Sequence, residues 1–133
     1  MRIMLDTNII VSAGVFGGAW TTEMTLKIAD KYNIVISSTV INELQLVMEK
    51  KFIDKMPALE HFLERLSYEI AYTPTEIDEN IYPLVRDKKD YPILASAILS
   101  DVDVFLTEDK DFDGINLERP EIMRLNEFSK KYM

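Results

Sequence analysis

The chain has 133 residues, 47% of them hydrophobic and 10% aromatic, with no cysteine, one histidine and a net charge of 15 − 23 = −8. This length makes a single domain, residues 1–133, that buries roughly 65–70% of its unfolded surface, and the composition excludes disorder, disulfide staples, Cys-ligated metals and thiol catalysis, while a single histidine makes His-based metal sites and triads poor guesses. A carboxylate excess also argues against a generally basic, phosphate-neutralising surface, so any contact with nucleic acid requires an account of where the negative charge sits.

No stretch reads as a signal peptide or a membrane span, and the expected localisation is cytoplasmic. Arg2–Leu5 is a short apolar run that stops at Asp6. Three of the four glycines fall in a turn region at 14–18. Residues 20–32 carry Trp20, Met24 and Ile28 near helical spacing. Asn33–Ser37 is a β-branched run, and Ser38 or Thr39 is placed to cap a helix reaching about Lys51, with Val40, Ile41, Leu44, Val47 and Met48 on its apolar face. Residues 57–66 read as helix, 68–72 as strand and 76–87 as helix interrupted near Pro83. Tyr91-Pro92 opens another helix, with Ile93, Leu94, Ala97 and Ile98 on one face. Residues 102–106 are again continuously apolar, 121–125 read as a more exposed strand, and 126–133 as a terminal helix. Apolar strand runs separated by helices define an α/β domain with a central parallel β-sheet covered by helices on both faces.

In such a sheet ligands sit beyond the carboxyl ends of the strands, which draws attention to the residues that follow each run. Asp6 follows the first, and Asp109 and Asp111 follow the run at 102–106. Glu43 lies within the apolar face of its helix, where an unpaired acid is costly. Asp90 stands just before a helix. Each has a mundane use: Asp6 and Asp90 as helix caps, Glu43 reaching to solvent, Asp109 and Asp111 as turn acids. Their conjunction at one rim says more. At about 5 Å and an effective dielectric near 20, each ionised pair repels by roughly 3 kcal/mol. Divalent cations relieve that repulsion, and all-oxygen ligation suits Mg²⁺ or Mn²⁺ rather than zinc. Such a cage suits phosphoryl transfer, with a metal-activated water as nucleophile.

Met4-Leu5-Asp6-Thr7-Asn8, Glu43 on a helix, Lys89-Asp90 ahead of Ile93-Leu94-Ala95, and Thr107-Glu108-Asp109-Lys110-Asp111-Phe112 together resemble the PIN domain, in order and over nearly the whole chain. The resemblance is greatest to the bacterial and archaeal branch of VapC-like toxins of toxin–antitoxin pairs. It implies a PIN-like fold and an Mg²⁺/Mn²⁺-dependent endoribonuclease that hydrolyses RNA phosphodiester bonds. It makes Asp6, Glu43, Asp90 and Asp109 the catalytic, metal-binding acids. Asp111 becomes a further metal ligand or a supporting acid, and Asn8 and Thr107 the groups that orient the carboxylates. It further implies an RNA substrate, a cognate antitoxin and a homodimer or higher homo-oligomer. Glu108 departs from the small residue usual at its position; it either opposes phosphate approach or points to solvent.

Lys88, Lys89 and Lys110 adjoin the rim and are candidate phosphate contacts, against the alternative of solvated surface lysines. Lys50 and Lys51 suit a helix C-terminus, His61 a surface position, and Met24, Met48 and Met56 core or interface packing. Trp20 is expected to pack or to anchor the 14–18 turn. Two other phosphoryl-transfer classes fit less well. A haloacid-dehalogenase-like phosphatase wants an aspartate where Asn8 stands, and a receiver wants one ending a central strand where Asn33–Ser37 ends in serine. The alternative of another kind is a catalytically silent PIN-like module that binds RNA or protein.

Overall fold

Ile3, Met4 and Leu5 of strand β1 (Arg2–Leu5) are all fully buried, as are Val35 and Ile36 of β2 (Asn33–Ser37) and Phe105 and Leu106 of β4 (Val104–Leu106). Continuous burial along a strand means that both faces of the sheet are covered, which is why these segments read as unbroken apolar runs rather than alternating ones. With the shorter β3 (Glu69–Ala71) and β5 (Glu121–Met123) they form one five-stranded sheet in the order β3-β2-β1-β4-β5. Every pairing is parallel, with Ile3 opposite both Ile34 and Val104. The computed structural model describes residues 1–77, 80 and 85–133.

Helices α1 (Thr7–Gly14) and α2 (Ala19–Lys31) link β1 to β2, and α3 (Ser38–Lys51) and α4 (Met56–Leu66) link β2 to β3. Helix α5 (Tyr91–Leu99) precedes β4, and α6 (Leu125–Tyr132) follows β5. The chain walks outward from β1 to β3 and then returns to β4 on the other side of β1. Helix α6 packs beside the end of α2, its Phe128 ring edge-on to Tyr32 at 5.9 Å. The reversal also opens a crevice between the ends of β1 and β4, the switch point at which α/β sheets hold ligands.

The expected architecture is present, with local corrections. The sequence reading placed no helix between Asp6 and the 14–18 turn, yet α1 occupies eight residues there, with Ile9, Ile10 and Ala13 buried. Gly14 ends it at a close approach: a Cβ on this residue would lie 2.8 Å from the Phe62 ring of α4. The cap of α3 is Ser37 rather than Ser38 or Thr39, because its Oγ accepts from the Val40 amide at 3.2 Å. Strands β1 and β2 have the expected bounds, whereas β3, β4 and β5 are shorter than the runs at 68–72, 102–106 and 121–125. The helix expected over 76–87 lies partly outside the described residues, and its described members are not helical. Met48 is fully buried, Met24 and Met56 pack partly buried against the core, His61 is exposed, and Trp20 is half exposed rather than packed.

Candidate metal centre

Two strand ends build the floor of the crevice. The Asp6 amide donates to the Leu106 carbonyl at 3.0 Å, and the Thr107 amide to the Met123 carbonyl at 3.1 Å, so sheet-type hydrogen bonds fix both backbones. Asp6 is nearly fully buried and caps α1: its Oδ1 accepts from the Thr7 amide at 2.8 Å. Its Oδ2 accepts from the Thr107 hydroxyl at 2.7 Å and from the Asn8 side-chain amide at 3.3 Å. Thr107 Oγ1 in turn accepts from the Asp109 amide at 3.0 Å and from Asn8 Nδ2 at 3.5 Å. One donor and two acceptor sites are all that a hydroxyl offers. Thr107 is therefore saturated, and it ties Asp6, Asn8 and the Asp109 turn into one unit. These hydrogen bonds from Asn8 and Thr107 hold the Asp6 carboxylate in one orientation.

Glu43 is half-buried on the face of α3 turned toward α1, where its Oε2 accepts from the Thr7 hydroxyl at 2.5 Å. The residue between Asp6 and Asn8 was given no role from sequence alone, although its place inside the Asp-Thr-Asn run was a signal.

The remaining acids come from two 3₁₀ turns. Asp109 precedes the turn Lys110–Phe112, and its Oδ1 accepts from the Asp111 amide at 2.9 Å. Asp90 ends the turn Lys88–Asp90 and opens α5, where Pro92 tolerates the first turn's missing hydrogen bond. Asp87 holds that turn, accepting from the Lys89 amide at 3.0 Å. Asp90 makes no side-chain cap bond to α5, so the mundane use is not the one realised. One carboxylate oxygen from each of Asp90, Asp109 and Asp111 lies within 4.8 Å of the other two. Among the described residues Asp90 Oδ2 is buried without a hydrogen-bond partner.

Electrostatics follow from this placement. Burial pushes the Asp6 carboxyl up to about 6, against the hydrogen bonds from Thr107 and Thr7 that favour its ionised form, while the charges of Glu43 and Asp109 add to the rise. Burial also raises Asp90, to about 7, assisted by the charges of Asp109, Asp111, Asp6 and Asp87. The structure thus brings all five predicted acids into one electrostatic neighbourhood, with Asp90, Asp109 and Asp111 as its tightest group. They form an all-oxygen donor set able to hold a cation.

Glu108 turns away from this group. Its Oε1 accepts from the Leu125 amide at 3.0 Å at the start of α6, and its Oε2 lies 3.6 Å from the Arg124 guanidinium. Its amide donates to Asn8 Oδ1 at 3.1 Å. Lys88, Lys89 and Lys110 are exposed on the two acid-bearing turns.

Fold and site define a class: a parallel α/β domain with an acid cluster at the crevice between two central strands. The chain belongs to the PIN domain family, whose model matches residues 2–111. No curated protein is close enough to count as a match. Among solved structures the fold is similar to a chain in the crystal structure of VapBC2 from Rickettsia felis bound to a DNA fragment from their promoter. The TM-score is 0.70 at 24% identity, over 93% of this chain and 98% of that one. The receiver and phosphatase readings fall with the family assignment.

Proposed function

We propose that this protein is an Mg²⁺- or Mn²⁺-dependent endoribonuclease and the toxin component of a toxin–antitoxin pair. The observation that carries the reading is the orphaned, buried Asp90 Oδ2, converging with Asp109 and Asp111 beside the raised Asp6 carboxyl. A buried carboxylate oxygen without a donor is costly, and a hard divalent cation is the partner such a group lacks.

Asp90, Asp109 and Asp111 would hold the ion together with Asp6, and Glu43 completes the acid set through its contact with Thr7. Bound there, the cation supplies positive charge to the scissile phosphate and lowers the pKa of a water. Thr107 and Asn8 keep Asp6 in one orientation, and Thr7 keeps Glu43 in one. Lys89 and Lys110, exposed on the two acid-bearing turns, are placed to meet flanking phosphates, with Lys88 beside them. A cleft of about 300 Å³, bordered by Thr107, Asp109, Phe112 and Arg124, adjoins the acids and can receive substrate. The similarity to a VapBC2 chain supports the toxin reading and with it a cognate antitoxin. A homodimer or larger homo-oligomer, testable by light scattering, follows from the same family reading. Among the described residues no helix is long and apolar enough to cross a membrane, in keeping with a cytoplasmic site of action.

The test is cleavage of a mixed pool of structured and single-stranded RNA by wild type, Asp6→Asn and Asp90→Asn, with Mn²⁺, Mg²⁺ or EDTA. Metal-dependent cuts lost in both variants are expected. Absence of both cleavage and metal binding would leave the silent binding module. Growth arrest on expression, abolished by Asp6→Asn, is the expected toxin phenotype.

A further inference from the structure

Asp6, Asp109 and Asp111 are fixed by sheet hydrogen bonds or by the Thr107 unit, whereas Glu43 and Asp90 are carried by helices α3 and α5, which pack on β2 and against each other. A cluster of hydroxyls joins these two helices. Thr73, two residues beyond the end of β3, places its Oγ1 2.6 Å from Thr39 Oγ1, 3.3 Å from the Thr39 amide, 3.2 Å from Ser38 Oγ and 2.9 Å from Ser96 Oγ. Its own amide donates to Ser38 Oγ at 2.9 Å. Ser96 Oγ reaches on to the Pro92 carbonyl at 2.8 Å, in the first turn of α5.

We propose that Thr73 is a positioning residue for the acid cluster, locking the first turn of α3, one turn ahead of Glu43, to the first turn of α5, headed by Asp90. The inference rests on the metal-site reading above. Thr39 and Glu43 are four residues apart and therefore stacked on the same side of α3, so a shift at Thr39 carries to Glu43. The route on the other side is covalent and short, because Pro92 is two residues from Asp90. A hydroxyl has three hydrogen-bonding sites and that of Thr73 has four polar neighbours, so no site of the Thr73 hydroxyl is left free. Valine in place of Thr73 keeps the shape and deletes the link.

The experiment is Mn²⁺ binding by isothermal titration calorimetry to the whole chain, alongside the metal-free melting temperature. Thr73→Val is expected to weaken Mn²⁺ binding several-fold, near the low end of the ~10–100-fold cost of disturbing groups that orient metal ligands. Thr73→Ser, which retains the hydroxyl, is expected to restore it. Thr22→Val is the control: its hydroxyl bonds the Ala13 carbonyl at 2.6 Å between α1 and α2, so its loss lowers stability and leaves Mn²⁺ affinity unchanged. Should Thr73→Val not fold, Ser96→Ala removes the α5 arm alone and is expected to weaken binding in the same direction. Equal affinity in wild type, Thr73→Val and Ser96→Ala would overturn the positioning role while leaving the metal site intact. No binding by wild type would overturn the metal reading itself, and this one with it.

Discussion

Asp6 is buried and Asp90 half-buried, and both are raised above their ordinary value of 3.8, yet their surroundings differ in kind. Asp6 sits at a strand end with both oxygens bonded, by Thr7, Asn8 and Thr107. Asp90 sits at a helix start under the charges of four other carboxylates, with one oxygen lacking a donor among the described residues. The strand side of the crevice meets its acid with the protein's own donors, whereas on the proposed reading a cation supplies what the helix side lacks.

The comparison breaks most visibly at Asp90. Asp90→Asn removes the acid that most requires a cation, and RNA cleavage is expected to fall beyond the ~10–100-fold that orienting groups cost; a gel assay under Mn²⁺ reads this directly. Thr107→Val attacks the other side. It strips Asp6 of its strongest side-chain donor and leaves the Asp109 amide without an acceptor, so about 1–3 kcal/mol of stability per orphaned group is at risk. Chemical denaturation should show that loss, and metal affinity should fall by ~10–100-fold.

A pH series in EDTA sharpens the contrast without any change of sequence. Both carboxyls bind their protons more tightly in the folded state than in the unfolded state. Their contribution to stability is therefore fully present below 3.8 and is lost as pH rises through about 6 for Asp6 and about 7 for Asp90. The metal-free melting temperature should decline between about pH 4 and 7, and Asp90→Asn should flatten the stretch between about 6 and 7. The smallest effect belongs to Glu108, which serves α6 rather than the crevice. Glu108→Ala should cost about 1 kcal/mol as a lost helix-terminal acceptor and leave cleavage unchanged.

Much of this was legible in sequence because sheet ends are legible. The buried runs of β1 and β4 stop at Asp6 and Thr107, and parallel topology then puts both at one crevice. Glu43 and Asp90 stood out for their position, one an acid on an apolar helix face and the other an acid ahead of a proline-started helix. What sequence did not show depends on side-chain direction. Asp6 as a cap was one of two uses the sequence offered, and the structure realises it, while Ser37 displacing Ser38 as a cap is a rotamer choice made locally. The turning of Glu108 toward Leu125 requires knowing where α6 begins. Thr73 lies in a polar stretch with no periodicity, and its meeting with Thr39 and Ser96 is set by packing across 34 and 23 residues of chain.

The most direct test of the central claim, that the acid cluster is a cation site completed from the Asp90 side, is the melting temperature of wild type and Asp90→Asn at pH 8, with and without Mn²⁺. The account predicts that Asp90→Asn melts higher than wild type without metal and no longer responds to Mn²⁺, while wild type is raised by several degrees. An equal Mn²⁺ response in both proteins, or none in wild type, would contradict it.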